Sequence, residues 1–426
     1  MDGGGAGGKV NAVILVGGPS KGTRFRPLSL DNFPKPLFPI AGKEMIYHHI
    51  NACCSVPGIQ EIMLLGFGDQ TDFEGFMRRT EAEFGVKIRY LQETTELGTA
   101  GGLHKFKEEI LTGQPDAVFV LHCDIACSFP LKDMLAFHRE KAAELGAIGT
   151  LMASQVKKED AHHYGCLVED EKHRLRHYAE KPATFVSDLI NSGVYCFSPS
   201  VWDFIDEVTA NLQKEDKLNP VPLRTSINEV MNRGKKGDVV RLEQDVLIPL
   251  SEKKQLMVFR NPGFWRQVKH AGSVVYCNEL YLNLYAKQNK ELLADQSLPF
   301  IRGNVIIHPE AQVDETALIG PNVTIGKGVV VGKGVRIMNS IILDNSHIKD
   351  HACILYSIIS FNCTVGYWSR LEGVYNPSPD THVNGKRQGI CIVGRGSTVA
   401  PEIIIRNCIV MPHKDLRESQ SDEIVL

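Results

Sequence analysis

Glycine-rich backbone flanked by arginine and lysine is the chemistry of phosphate handling, and this chain concentrates it near its start. Gly17-Gly18-Pro19-Ser20-Lys21-Gly22-Thr23-Arg24-Phe25-Arg26 follows directly on an apolar run, Val10 to Val16. A strand running into such a turn leaves N–H groups unpaired at the carboxyl end of a sheet, where phosphates bind. Arg24 and Arg26 add positive charge, and Lys35, between Pro34 and Pro36, carries its ammonium on a stiff segment. The doublets His48-His49 and His162-His163 have no carboxylate or cysteine partners at ligand spacing, so they do not read as a metal site. Trp202 and Trp265 read as packing residues.

The elements that must position these groups follow from periodicity. Short apolar runs at Val10 to Val16, Glu61 to Gly66, Ala117 to His122, Ala147 to Ala153 and Val194 to Phe197 alternate with helical stretches such as Met45 to Cys54 and Asp72 to Phe84. That alternation predicts an α/β domain over 10–272 with a parallel or mostly parallel sheet. A glycine-rich, flexible tail is expected at 1–9 and a helical connector at 273–300, with Val274 to Asn289 at helical spacing.

Beyond Ile301 the period becomes six: Ile307, Val313, Ile319, Ile325, Val331 and Ile337, then Ile359, Val365 and Leu371, then Val393, Val399, Ile405 and Met411. Neither a helix stripe nor a simple strand has that period. It is the hexapeptide signature of a parallel β-helix, expected over 301–426 and left-handed. The stretch Glu372 to Gly389 interrupts it and reads as a loop, 372–389, thrown out of one rung. His347 and His351 fall in rungs, a position that hexapeptide acyltransferases use for a base, but the N-terminal pocket already accounts for the chain's chemistry.

Composition bounds the class. Lys+Arg 47 against Asp+Glu 50 gives a net charge of -3, so no strongly basic face speaks for nucleic acid or an anionic membrane. No apolar run approaches the roughly 18 residues of a membrane span. Eleven cysteines without a Cys-x-x-Cys pair read as reduced thiols, which together with the absence of a signal-peptide pattern leads to the expectation of a cytoplasmic protein.

The motifs resemble those of sugar-nucleotide pyrophosphorylases, and within them the mannose-1-phosphate guanylyltransferases of the alpha type. The resemblance rests on Gly17-Gly18, Gly22-Thr23-Arg24-Phe25-Arg26-Pro27, Pro34-Lys35-Pro36-Leu37, Leu97-Gly98-Thr99-Ala100-Gly101, Leu121-His122-Cys123-Asp124, Glu180-Lys181-Pro182 and Asn191-Ser192-Gly193-Val194-Tyr195, together with the hexapeptide domain. It implies a Rossmann-like, GT-A-like nucleotidyltransferase domain followed by a left-handed β-helix. It further implies that Arg24 holds pyrophosphate and Lys35 the α-phosphate. Gly98, Thr99 and Ala100 would meet the nucleobase, and Asp124 would ligate Mg²⁺. Glu180, Lys181 and Asn191 would contact the sugar phosphate and sugar hydroxyls. Glu93, just before the base turn, could accept from the N1–H and N2–H₂ edge of guanine.

Two departures redirect that reading. Pro19-Ser20-Lys21 lengthens the phosphate loop relative to catalytic members, beyond the tolerance of positioning catalysis. In Gly263-Phe264-Trp265-Arg266-Gln267-Val268-Lys269, Gln267 stands where the family has its second metal-ligand aspartate, leaving Asp124 as the only carboxylate of the pair. Mg²⁺ wants anionic oxygens, so one carboxylate holds it poorly. The expectation is a regulatory subunit that binds GDP-mannose without a cofactor and mediates feedback inhibition of a catalytic beta paralogue, with the 372–389 loop facing that partner and the β-helix also mediating self-association. The alternative is an active guanylyltransferase converting GTP and mannose 1-phosphate to GDP-mannose with Mg²⁺. A translation-factor exchange subunit, which shares both domains, is the remaining reading.

Overall fold

The structure, a computed structural model, describes residues 8–17, 23–30, 33–218, 239–374, 382–383, 386–387 and 389–426. Its contacts divide the chain into two compact units, Met1–Lys21 with Ile46–Trp265, and Gly22–Met45 with Arg266–Leu426.

The first unit is built on β1 (Val10–Gly17), β2 (Ile59–Gly66), β3 (Lys87–Gln92), β4 (Ala117–His122), β5 (Gly149–Gln155), β6 (Gly165–Glu169), β7 (Leu175–Glu180), β8 (Leu189–Phe197) and β9 (Leu256–Arg260). They form one sheet in the order β7-β6-β8-β4-β1-β2-β3, with β5 pairing β8 and β9 pairing β5. The sequence Val-Asn-Ala-Val-Ile-Leu-Val makes β1 buried on both faces, which places it inside the sheet between β2 and β4. Strands β1 to β4 are mutually parallel wherever they pair, as the alternation predicts. The other half corrects the expectation. β8 runs antiparallel to both β4 and β5, and β6 and β7 form an antiparallel pair. β6 and β7 are partly exposed and lack the unbroken apolar runs that announce the buried strands. The core joins Val13, Leu15, Val118, Val120, Leu151, Tyr195, Phe197 and Trp202. Trp202 is fully buried and donates its indole N–H to the Leu103 carbonyl at 3.1 Å.

The second unit is the β-helix. Its three parallel sheets run from Val305–Ile307 to Ile424–Val425, from Gln312–Val313 to Asp415–Leu416, and from Leu318–Ile319 to Gln420–Ser421. The inward column contains Ile319, Ile325, Val331, Ile337, Ile342, Ile348, Ile354, Ile359, Val365, Leu371, Val393, Val399, Ile405 and Val410. The slips in the six-residue period have a geometric cause. Asn339, Tyr356 and Asn407 turn with left-handed φ of 46°, 45° and 50°, each within a side shortened by one residue. For the same reason Val410, and not Met411, fills the core after Ile405. Within 372–389 a short antiparallel pair, His382–Val383 with Lys386–Arg387, is present; Tyr375 to Thr381, Asn384, Gly385 and Gln388 lie outside the described residues.

Gly22–Met45, which chain order assigns to the first domain, takes its contacts in the second unit. Asn278, fully buried on the helix Val274–Gln288, accepts the Ala41 N–H at 2.9 Å and the Thr324 hydroxyl at 2.8 Å through one Oδ1. The Phe33 and Phe361 rings meet at 5.3 Å.

Candidate functional site

The parallel strands of the first unit end at Gly17, Gly66, Gln92 and His122, and of the candidate residues Glu93 follows Gln92 and Asp124 comes two residues after His122. Glu93 follows β3 directly and is anchored by its N–H to the Gly66 carbonyl, 2.8 Å. Only 9 % of it is exposed, and its Oε1 has no hydrogen-bond partner among the described residues. Burial pushes its carboxyl up to about 7, against the opposing pull of Lys105. A buried carboxylate oxygen left unpaired is costly. It packs against Gly102, where a Cβ would lie 2.5 Å from Oε1.

Gly98, at φ 74°, opens the helix Gly98–Lys105, and a side chain there would collide with the Val240 carbonyl. That carbonyl takes the N–H groups of Ala100 and Gly101, at 3.0 and 3.2 Å, and the Thr99 hydroxyl oxygen accepts the Leu242 N–H at 2.9 Å. The turn at Gly98 is thus docked on residues 240–242, which satisfies the helix's first amides internally.

A continuous polar network links Asn191 to Glu180 and to Glu243. Asn191 donates through Nδ2 to the Tyr195 hydroxyl at 2.8 Å and to the Tyr178 hydroxyl at 3.2 Å, while its Oδ1 accepts the Gly193 N–H at 3.0 Å. Tyr178 donates to Glu180 at 2.9 Å, and Glu180 holds Lys181 Nζ at 2.7 Å. Gly165 makes room for this, since a Cβ there would lie 2.2 Å from the Tyr178 oxygen. Tyr195 reaches Glu243 at 3.4 Å, and Glu243 forms an ion pair with His122 Nε2 at 3.3 Å. Burial alone would lower the His122 pKa, but Glu243, with Asp124 and Glu180 beyond, raises it overall. Burial likewise raises the Glu243 carboxyl, and His122 and Tyr195 more than reverse this. The fold links Glu180, Lys181 and Asn191 through Tyr178. Glu243 left no sign in the sequence, because its partners lie far off in the chain.

The remaining candidates distribute as follows. Gly17 ends β1 at φ 121°. Gly18 and Gly22, with Pro19-Ser20-Lys21, lie outside the described residues, and Thr23 and the exposed Arg24 belong to the short turn Thr23–Phe25 of the second unit. Lys35 opens the turn Lys35–Leu37, its Nζ 5.6 Å from the Phe25 ring centroid. Asp124 lies in the first unit and the half-buried Gln267 in the second. Gly263-Phe264-Trp265 is shaped by Asn261, which accepts the Gly263 N–H at 3.0 Å, and by Trp265, which donates to the Ser192 carbonyl at 2.8 Å. Among the described residues no group of three His, Cys, Asp or Glu side chains could hold a metal ion.

Known protein families match both parts of the chain. A family profile described as Nucleotidyl transferase matches residues 11–236, and one described as GMPPB C-terminal domain matches 301–425. A protein of Dictyostelium discoideum named mannose-1-phosphate guanylyltransferase regulatory subunit alpha is 50% identical, covering 97% of this chain and 98% of its own. The regulatory subunit alpha-B of Danio rerio is 43% identical over 98% of this chain and 100% of its own. The regulatory subunit alpha of Xenopus tropicalis is 42% identical over the same shares.

Proposed function

The chain belongs to the mannose-1-phosphate guanylyltransferase family, among the proteins named regulatory subunit alpha, and from that premise we propose that it binds GDP-mannose and restrains a catalytic partner of the same family. The observation that carries the reading is the buried, unpaired Glu93 oxygen at the carboxyl end of the parallel strands. An ionised carboxylate there matches the paired donors of the guanine edge, which uracil and thymine lack. The network from Glu180 to Asn191 supplies acceptors for sugar hydroxyls and Lys181 a cation for phosphate. Binding needs no metal in this reading, and the neutral Gln267, standing where the resemblance expects a second metal-ligand carboxylate, makes the chain catalytically silent. The same reading places it in the cytoplasm, where nucleotide sugars are made; no helix among the described residues is long and apolar enough to cross a membrane.

Feedback requires that product bound here alter the partner's turnover, a coupling of about 1 to 3 kcal/mol in typical systems. The test is turnover of the catalytic partner against GDP-mannose concentration, with the intact chain and with Glu93→Gln. Inhibition should shift to higher GDP-mannose in the variant. Robust pyrophosphate release by the purified chain alone, from GTP and mannose 1-phosphate with Mg²⁺, would establish the active enzyme instead.

A further inference from the structure

The direction of each hydrogen bond in the polar network around Asn191 follows from a single atom. The Gly193 N–H can only donate, so the Asn191 atom it meets at 3.0 Å is the oxygen, and the amide nitrogen faces the two tyrosines. Both Nδ2 hydrogens are then used, on Tyr195 at 2.8 Å and on Tyr178 at 3.2 Å. Each tyrosine, having accepted, sends its one proton outward, Tyr178 to Glu180 at 2.9 Å and Tyr195 to Glu243 at 3.4 Å. Asn191 is therefore a hub with no donor left for a ligand, and the network presents a carboxylate at each end.

The two ends are not equally satisfied. Glu180 takes Tyr178 on Oε2 and Lys181 on Oε1 at 2.7 Å, both at ordinary hydrogen-bond length. Glu243 takes Tyr195 and His122 on the same Oε1, at 3.4 and 3.3 Å, and both contacts are long. Among the described residues only its own backbone N–H adds to these, and no side chain meets Oε2. With 23% of the side chain exposed, that leaves a partly buried carboxylate short of donors and open on one oxygen. Its setting is a special one as well. Glu243 lies in the π-helical stretch Leu242–Leu247, a rare geometry that recurs at functional sites. The residue before it, Leu242, gives its N–H to Thr99 at 2.9 Å, so one short stretch meets both the turn at Gly98 and the Asn191 network.

We propose that Glu243 contacts the sugar, its Oε2 accepting a pyranose hydroxyl as a second acceptor beside Glu180, while Asn191, Tyr178 and Tyr195 are positioning residues that hold the two carboxylates at a fixed separation. This rests on the reading of the site as one for a nucleotide sugar. Two carboxylates joined through one amide suit the neighbouring hydroxyls of a hexose, each of which brings a proton. An ionised phosphate brings none and would be repelled, so the Glu243 end takes the neutral, hydroxylated part of the ligand.

The test is calorimetry on the full chain with GDP, GDP-mannose and GDP-mannose analogues deoxygenated at C2, C3, C4 or C6 in turn. In the wild type, the analogue lacking the contacted hydroxyl should bind about tenfold more weakly than GDP-mannose. Glu243→Gln should lower the ratio of GDP-mannose to GDP affinity by about tenfold, and in that variant the same analogue should lose less than about twofold more. Tyr195→Phe removes only the positioning hydroxyl, so it should weaken GDP-mannose yet keep the full penalty for that analogue. A penalty that persists in full in Glu243→Gln at every position would overturn the proposal. So would a wild type that prefers GDP-mannose to GDP but is indifferent to every deoxygenation, an outcome that leaves the nucleotide-sugar reading standing. A wild type that binds none of these ligands would end that reading and the proposal with it.

Discussion

At the scale of single residues, the chain commits two buried ionisable groups in opposite ways. Glu93 is held up to about 7, so over the range pH 6 to 8 it passes from acid to carboxylate. If guanine is bound through the carboxylate, GDP-mannose affinity should rise with pH through that range, by up to about tenfold per unit below 7, and Glu93→Gln should flatten the profile; calorimetry at several pH values reads both. His138 is the reverse case. It lies between the Thr150 and Ser198 hydroxyls at 3.0 and 3.1 Å, and burial lowers its pKa to about 4. The unfolded chain takes up that proton near 6.5 and the folded chain does not, so stability should fall as pH drops from about 6.5 to 4. The loss should approach about 3 kcal/mol and be absent from His138→Gln, as urea titrations at pH 7 and 4.5 would show. Legibility at this scale followed the chain's locality. Glu180-Lys181 and Asn191 sit in short motifs and were readable. Glu243 was not, because its partners His122 and Tyr195 reach it only through the folded sheet.

At the scale of elements, the β-helix was the most legible part, since one inward residue per side repeats in the sequence wherever the side length is constant. It became illegible where Asn339, Tyr356 and Asn407 shorten a side, and there the inward residue moves from Met411 to Val410. The strands β6 and β7 escaped notice because alternating, half-exposed residues such as those of Leu175–Glu180 leave no apolar run. Asn278 marks another limit, a polar residue inside an apolar helix whose purpose is visible only from what it touches. Asn278→Ala would strand the buried Ala41 N–H, with the Thr324 hydroxyl beside it. A loss of about 2 to 4 kcal/mol is expected, measured as a lowered denaturant midpoint at unchanged slope.

At the scale of the whole molecule, the two units are not consecutive in the chain, because Gly22–Met45 takes its contacts beyond residue 266. A fragment ending at residue 272, cut where the change of periodicity suggests a boundary, would leave that segment without Asn278, Phe361 and their neighbours. It should bind a hydrophobic dye and lack a sharp thermal transition, whereas the full chain should melt cooperatively; a fragment with a native-like near-ultraviolet spectrum would refute this. The same connection sets a clock on the ribosome. Ala41 and Asn278 are 237 residues apart, and at about 5 to 20 residues per second the asparagine emerges roughly 10 to 50 s after its partner. Through that interval the nascent segment has no native place to go, so the apolar Phe33, Leu37 and Phe38 are offered to chaperones during synthesis.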